Sequence, residues 1–415
     1  MIENRPPGEP AELENLPSSG LPYVLASWER ARPLLVVAAD DERAEQLVRD
    51  LRAFGDDGAT LFPGEPHVPF EDVSIDPAVT AARLGLRAKW RRSGRPRVTV
   101  ASIASLQGRW ISDGAFAEAS FTLKPGEEVD REELALSLVR CGYQRVNLVE
   151  DEGTFSVRGG IVDVFPPGSE LPIRVDLFGD EIVSLKSFEP GSQRSTNRHD
   201  ALHLHPIREV VFDDARIARA TERLTELAEH IAIPSRRLRA TLEDIEQRNY
   251  FFGIEVLWPA FYDDGAPMWE ALVDGCDVVL DDPDTIYDTL ERRWARAESE
   301  RERAIERGQL AVTVEEHLSP AATVEEALAS RAVLSVVQLA DDRSERTVRL
   351  QLEDWSALAR EMNARREDAS RGEILDPLVE AFERAVKKKD DLLMCCQSRG
   401  QAERLRELLR ARGMD

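Results

Sequence analysis

The first hundred residues alternate short apolar runs with amphipathic stretches, and this alternation constrains the fold more than any other feature. Residues 33–39 (PLLVVAA) have the composition of a buried parallel strand. Asp40 is placed to cap a helix in which apolar residues recur at helical spacing from Ala44 to Leu51. The alternation continues with a strand over 59–62, a helix over 78–91 and a strand over 97–101. It predicts a doubly wound α/β fold with a parallel sheet.

The pattern changes near Ser120, where closely spaced strands and tight turns replace the strand–helix alternation. Gly179-Asp180 has the composition of a two-residue hairpin turn. A helix is predicted over 131–141, and three strands are predicted over 157–164, 171–178 and 181–188. We therefore predict a small β-rich unit that extends to about residue 208.

Helices and strands alternate again in the second half of the chain. A helix over 213–230, a strand over 277–280 and a charged helix over 284–307 are predicted. The last elements are a helix over 374–386, a strand over 392–395 and a helix over 401–412. Because no further strand follows them, we expect an incomplete last domain and a chain that is a fragment. Residues 1–20, rich in Pro, Glu, Ser and Gly, are expected to form a flexible tail.

The charged residues exclude two classes of protein. A net charge of −24 at pH 7 argues against a free-standing nucleic-acid-binding module, because such modules neutralise phosphates with Lys and Arg. The chain has six lysines, and none of them follows a glycine. A GxxxxGK[ST] loop is therefore absent, which excludes an ordinary P-loop ATPase. GxGxxG, GxSxG and HExxH are also absent, which argues against dinucleotide-binding, hydrolase and metalloprotease interpretations.

Cysteine content and hydropathy indicate the compartment. The four cysteines (Cys141, Cys276, Cys395 and Cys396) are too few and badly spaced for a disulfide framework or a zinc site. No run approaches the roughly 18 to 20 apolar residues of a membrane-spanning helix, and the N-terminus lacks the basic and apolar regions of a secretory signal. A cytoplasmic protein without a membrane partner is expected.

The predicted strand over 171–178 carries the candidate binding residues. Because side chains alternate between the faces of a strand, every second residue from Ile173 to Leu177 is expected on the core face. Arg174, Asp176 and Phe178 then share the other face, with Phe178 beside the hairpin turn. An arginine beside an aromatic ring on a polar face is the composition of a binding hot spot. A structural alternative stays open, in which Phe178 packs under a neighbouring loop and Arg174 pairs with Asp176.

Two other polar groups are better explained structurally than functionally. Asp281 and Asp282 follow an apolar strand, as the Mg²⁺-binding acid of nucleotide sites does, but without a P-loop lysine a helix cap is favoured. His199, His203 and His205 fit no strong metal motif and are interpreted as loop histidines. We therefore assign no catalytic, nucleotide-binding or metal-binding residue.

Several segments resemble a known family. The stretch from Gly153 to Pro166 (GTFSVRGGIVDVFP), together with RVDLFGDEI at 174–182, resembles the module shared by bacterial transcription-repair coupling factors (Mfd) and the excision-repair protein UvrB. GIE at 253–255 with PAFY at 259–262, and QAERL at 401–405, resemble later parts of the coupling factors. UvrB carries a working P-loop whereas the coupling factors keep the fold without it. The missing Gly-Lys therefore favours the coupling factors.

The resemblance implies a domain organisation. It implies a degenerate P-loop-type parallel-sheet domain in two pieces, an inserted small β-rich domain and a partial C-terminal α/β domain. The expected domains are the flexible tail (1–20), the first part of a UvrB-like α/β domain (21–119), the inserted UvrA-binding domain (120–208), the second part of the UvrB-like domain (209–320) and a small, incomplete α/β domain (321–415).

The resemblance also implies a function. Arg158, Arg174 and Phe178 match the family's contacts with UvrA. The family's proteins are ATP-dependent DNA translocases that displace stalled RNA polymerase and recruit UvrA. Their motor, which uses ATP and Mg, and their contacts with RNA polymerase and double-stranded DNA would lie downstream of this chain. The chain is thus expected to be a non-catalytic UvrA-docking region without a cofactor. Two alternatives stay open: a degenerate UvrB-like excinuclease subunit that retains nucleotide binding, and a structural module that restrains a downstream motor.

Overall fold

A computed structural model describes residues 6–14, 16–73, 76–337, 347–348, 356–368, 375–389, 394, 396 and 399–414. The strands in this part of the chain are β1 (Ala11–Glu14), β2 (Leu34–Ala38), β3 (Thr60–Phe62), β4 (Val98–Ser102), β5 (Arg109–Ile111), β6 (Phe121–Leu123), β7 (Gln144–Arg145), β8 (Thr154–Arg158), β9 (Ile161–Val164), β10 (Ile173–Phe178), β11 (Glu181–Phe188), β12 (Ser195–His199), β13 (Leu202–Leu204), β14 (Gly265–Pro267), β15 (Asp277–Asp281), β16 (Ala332–Val337) and β17 (Thr347–Val348).

The α-helices in the same residues are α1 (Gly20–Ser27), α2 (Asp41–Ala53), α3 (Pro77–Ser93), α4 (Ile103–Gln107), α5 (Asp113–Glu118), α6 (Arg131–Arg140), α7 (Asp214–His230), α8 (Ser235–Glu246), α9 (Met268–Val273), α10 (Pro283–Glu306), α11 (Ala321–Ala329), α12 (Ser356–Asp368), α13 (Asp376–Lys388) and α14 (Arg399–Arg410). Two 3₁₀ helices cover Ile254–Phe261 and Val314–Glu316.

The larger sheet is parallel and buried on both faces. Its strand order is β17-β1-β16-β15-β2-β4-β3, and each neighbouring pair is parallel. Leu35 and Val37 of β2 pack into one apolar cluster, whereas Leu34 and Val36 pack into another on the opposite face. The sequence of a strand that is covered on both faces is expected to be apolar along its whole length. The prediction of an α/β fold with a parallel sheet is confirmed.

Two predicted boundaries are wrong. We predicted a flexible tail over 1–20, but β1 lies inside the sheet between β16 and β17, with Ala11 and Leu13 fully buried. We also placed the start of the last domain at residue 321. β16, however, pairs with β1 and β15 and belongs to the parallel sheet. In both cases the partner strands are distant in sequence, and their backbone groups complete the hydrogen bonding.

The C-terminal helices agree with the sequence. Helices predicted over 374–386 and 401–412 correspond to α13 and α14. Residues 392, 393 and 395 of the strand predicted between them lie outside the described residues. The C-terminal prediction is therefore confirmed for its helices only.

Aspartates cap α2 and α10 of the parallel-sheet region. Asp40 Oδ1 accepts a hydrogen bond from the backbone N–H of Arg43 at 2.8 Å and caps α2. Asp282 Oδ1 accepts from the backbone N–H of Thr285 at 3.3 Å and caps α10. Asp281 Oδ2 instead accepts a hydrogen bond from Arg43 Nε at 2.6 Å. The helix-cap interpretation of the Asp281-Asp282 pair is thus confirmed for Asp282.

The second sheet is mixed and has the order β12-β11-β10-β9-β8-β7. The strand predicted over 157–164 is wrong, because β8 and β9 are two antiparallel strands joined at Gly159-Gly160. Gly159 has φ +59°, and a Cβ on Gly160 would lie 2.7 Å from the carbonyl oxygen of Leu177. Only glycine fits both requirements without strain. The hairpin turn at Gly179-Asp180 is confirmed.

A buried histidine makes the stability of the fold depend on pH. His317 Nε2 lies 2.8 Å from the carbonyl oxygen of Val256, and the ring contacts those of Phe70 and Trp258. Burial disfavours the charged ring and lowers the pKa of His317 from 6.5 to about 4. As the pH falls, His317 of the unfolded chain therefore binds a proton at a higher pH than His317 of the folded chain does. The contribution of neutral His317 is complete above pH 6.5 and is lost as the pH falls towards 4.

We expect His317 alone to lower the free energy of unfolding by about 2 kcal/mol between pH 7 and pH 5. Urea unfolding of the parent chain and of a His317→Gln variant at both pH values measures this difference. The parent should lose about 2 kcal/mol more than the variant on acidification. An equal pH dependence in the two proteins would contradict the prediction.

Candidate functional site

One face of the six-stranded sheet carries two rows of mostly polar side chains. Strand register aligns Ser156, Asp163, Arg174, Lys186 and Arg198 in one row across β8 to β12. The next row contains Arg158, Ile161, Asp176 and Ser184. We call these two rows, together with Phe178, the polar face.

The predicted alternation along β10 is confirmed. Ile173 and Val175 are buried and Leu177 is half-buried against the same apolar cluster. Arg174 and Phe178 lie on the opposite side, and Phe178 is 81% exposed beside the hairpin turn. The alternative in which Phe178 packs under a loop is therefore wrong.

Asp163 is the centre of the polar face. Its side chain is 0% exposed, and its two oxygens accept Nε and Nη2 of Arg174 at 2.7 and 2.9 Å. Arg158 donates its Nη2 to the same carboxylate at 3.0 Å. A buried carboxylate is stable only when it is paired and hydrogen-bonded. Asp163 thus fixes the two predicted arginines relative to each other.

Arg174 is held on several sides. Its Nη1 donates to the carbonyl oxygen of Gln193 at 3.3 Å, and its guanidinium carbon lies 4.7 Å from the ring centre of Phe188. The hydrogen bond to Asp163 raises the pKa of Arg174 further above its ordinary value. With a side chain only 15% exposed, Arg174 has little surface left for a partner.

Asp176 does not pair with Arg174, so that alternative is also wrong. Lys186 Nζ and Ser184 Oγ donate to Asp176 Oδ2 at 2.8 and 2.6 Å. Burial acts to raise the pKa of Asp176, but these two hydrogen bonds and the charges of Lys186 and Arg174 together outweigh it, and the pKa lies below its ordinary value. Asp176 therefore stays charged and holds Lys186 on the polar face.

The most exposed groups lie around the β10–β11 hairpin. The side chain of Arg158 is 49% exposed, and Val183 is 57% exposed. Val183 is the extra residue of a β-bulge between the Asp176–Ser184 and Leu177–Ile182 pairs. Simple alternation along β11 therefore does not predict that Val183 lies on the surface. Adjacent apolar residues at Ile182-Val183 are the only signal of that bulge.

The two rows of the polar face contain more cationic than anionic side chains, although the whole protein is acidic. The rows contain four cationic and two anionic side chains: Arg158, Arg174, Lys186 and Arg198 against Asp163 and Asp176. Within the described residues Arg198 forms no ion pair. Because the whole chain carries −24, this local excess of positive charge favours an acidic partner surface.

The described residues contain no group of three or more His, Cys, Asp or Glu placed to hold a metal ion. His199 and His203 lie in β12 and β13, which corrects their interpretation as loop residues. Among the same residues, no helix has the length and apolar character that crossing a bilayer requires.

Comparison with protein-family models matches residues 121–209 to the UvrB interaction domain. This segment includes strands β6 to β13 and therefore the whole polar face.

Curated relatives give the wider context. The transcription-repair-coupling factor of Myxococcus xanthus is 31% identical over 436 aligned residues, which cover 100% of this chain and 36% of that protein. That of Mycobacterium tuberculosis (strain CDC 1551 / Oshkosh) is 32% identical over 302 residues, covering 69% of this chain and 24% of that protein. UvrABC system protein B of Kosmotoga olearia is 27% identical over 281 residues, covering 63% and 42%. The chain thus spans about a third or less of the two coupling factors.

Proposed function

We propose that this chain, which belongs to the transcription-repair-coupling factor family and corresponds to its N-terminal, UvrB-like region, docks the nucleotide-excision-repair protein UvrA through the polar face. Phe178 carries the proposal. It is 81% exposed at a hairpin tip, inside the segment that matches the UvrB interaction domain. A ring held in water by a rigid hairpin gains free energy when a partner covers it, and aromatic residues are typical anchors of such interfaces.

The geometry of the polar face supports a division of roles. Phe178 would fill an apolar recess on UvrA, and the half-exposed Arg158 would face a carboxylate beside it. Arg174 is a positioning residue, because its bonds to Asp163 hold the carboxylate that orients Arg158. We thus keep Arg158 and Phe178 as direct contacts and give Arg174 a supporting role.

The chain itself is proposed to be non-catalytic and to bind no nucleotide at the position of a P-loop. The N-terminus of α2, where a P-loop would hold phosphates, is capped by Asp40 and carries Asp41 and Glu42 in its first turn. Carboxylates there repel a phosphate. Arg43, in the same turn, is already paired with Asp281.

A thermal unfolding experiment with millimolar Mg-ATP separates this proposal from a degenerate UvrB-like subunit. We expect no rise in Tm that depends on Mg²⁺, because a ligand stabilises a fold only when it binds the native state. A saturable, Mg²⁺-dependent rise of several degrees would support the nucleotide-binding alternative.

The setting proposed for the chain is cytoplasmic DNA repair coupled to transcription. In a longer family protein, ATP-driven movement on double-stranded DNA and contact with RNA polymerase would belong to other domains. Those domains would need ATP and Mg, and this chain would supply the link to excision repair.

Competition with UvrB tests the docking proposal. Because the chain resembles UvrABC system protein B, both proteins are expected to use the same surface of UvrA. Unlabelled chain should displace fluorescent UvrB from UvrA, and serum albumin at the same concentration should not. A ternary complex would show that the chain binds UvrA at a surface that UvrB does not use. No displacement at saturation would favour the alternative of a module that only restrains a motor.

A further inference from the structure

A second concave site lies between α3, α5 and the two-stranded β6–β13 sheet, and it shares no residue with the polar face. Its volume is about 230 Å³. We call it the seam pocket. Phe116, Phe121 and Leu204 form its apolar part, and His203, His205 and two arginines of α3 line the rest together with small side chains. An apolar pocket with a few convergent polar groups is the usual form of a small-molecule site.

The titratable side chains that line the seam pocket are all basic. Its charged or titratable lining residues are Arg91, Arg92, His203 and His205, and no Asp or Glu of the described chain lines it. Arg91 Nη1 pairs with Asp113 at 2.7 Å. Arg92 is exposed and forms no ion pair or side-chain hydrogen bond with any described residue. An unpaired arginine without a nearby lining carboxylate is notable in a chain of net charge −24.

The histidines respond to this positive charge. Burial lowers the pKa of His203, and Arg92 and Lys124 lower it further. Burial also lowers the pKa of His205, with Arg92 acting in the same direction. His205 Nδ1 lies 3.0 Å from the carbonyl oxygen of Pro206, so the neutral ring keeps its proton on Nδ1.

The size of the seam pocket indicates more than a bare oxyanion. At 10–15 Å³ for each water-sized position, its volume of about 230 Å³ holds roughly 15 to 23 such positions. Phe116 stacks on His205 with ring centres 5.9 Å apart. Hydroxyls are also present: Ser120 Oγ donates to the Phe116 carbonyl at 2.6 Å, and Thr122 Oγ1 lies 2.9 Å from His203 Nδ1. Cationic, hydroxyl and aromatic groups thus line the same cavity.

We propose that the seam pocket binds a nucleoside monophosphate unit, with the phosphate at Arg92 and His203 and the base against Phe121. The unit could be a free nucleotide or the phosphorylated end of a single strand, since both present the same chemistry. This proposal does not depend on UvrA docking, because the two sites share no residue.

Calorimetric titration with thymidine monophosphate tests the proposal, with thymidine and inorganic phosphate as partial ligands. We expect saturable submillimolar binding of the monophosphate and at least about tenfold weaker binding of each partial ligand, because each lacks one set of contacts. A 5′-phosphorylated oligothymidylate separates the two sources. Binding at least about tenfold tighter than that of the monophosphate identifies a strand end, and equal or weaker binding identifies a free nucleotide.

Two charge reversals on α3 provide a matched pair of variants. Arg92→Glu should weaken monophosphate binding at least about tenfold, because a charged hydrogen-bond donor is replaced by a repelling carboxylate. Lys89→Glu makes the same change in charge at an exposed position of the same helix that does not line the pocket, and it should stay within about twofold of the parent. Thermal unfolding checks that both variants are folded. Absence of saturable binding to the parent, equal binding of inorganic phosphate, or equal effects of the two reversals would overturn the proposal.

Discussion

Replacing Arg174 with alanine is expected to lower the free energy of unfolding by about 3 kcal/mol, because it removes the main partner of a fully buried carboxylate. Arg174 supplies two of the three arginine hydrogen bonds to Asp163, at 2.7 and 2.9 Å. Arg158 supplies the third from a half-exposed position. One exposed arginine cannot offset the cost of keeping Asp163 ionised away from water. Urea unfolding at pH 7 measures the loss.

Two further variants isolate the cause. Arg198→Ala removes an arginine from the same row of the polar face, but Arg198 is exposed and has no ion pair among the described residues. Its effect should stay within about 0.5 kcal/mol. Adding Asp163→Asn to Arg174→Ala removes the stranded charge and should restore at least about 1 kcal/mol. A double variant no more stable than Arg174→Ala would show that the buried charge is not the source of the loss.

Replacing Phe178 with alanine is expected to weaken UvrA binding about thirtyfold, which corresponds to the loss of about 2 kcal/mol typical of an aromatic anchor. The free energy of unfolding should not change, because the ring is 81% exposed and the β10–β11 pairing does not need it. Phe178→Ala therefore separates binding from folding, which Arg174→Ala does not. Calorimetry with purified UvrA measures the affinity.

The chain offers a matched control for this variant. Phe252 is also a surface phenylalanine, 61% exposed, and it lies outside the polar face and outside the matched segment 121–209. Phe252→Ala removes a ring of the same size and should leave UvrA binding within about twofold of the parent. Equal weakening by both variants would mean that docking depends on general surface hydrophobicity.

Local patterns predicted much of the polar face. The alternation along β10 and the Gly179-Asp180 turn depend on neighbouring residues, and both are confirmed. The alternation selected Arg174 and Phe178, and the family resemblance added Arg158. The roles assigned to these three residues stay predictions until binding is measured.

Long-range pairing could not be predicted in the same way. β1 is only four residues long and contains two glutamates, so the sequence of 1–20 looks like a polar tail. Its burial comes from β16 and β17, more than 300 residues away. Asp163 was missed for a similar reason. A single acid in the run IVDV gives no sign that two arginines on other strands converge on it.

Titration of the parent chain into purified UvrA measures the proposed docking itself. We expect saturable binding with a micromolar or tighter Kd, which is strongly reduced by Phe178→Ala and retained by Phe252→Ala. No detectable binding of the folded parent chain at high micromolar concentrations would contradict it. The polar face would then need another partner.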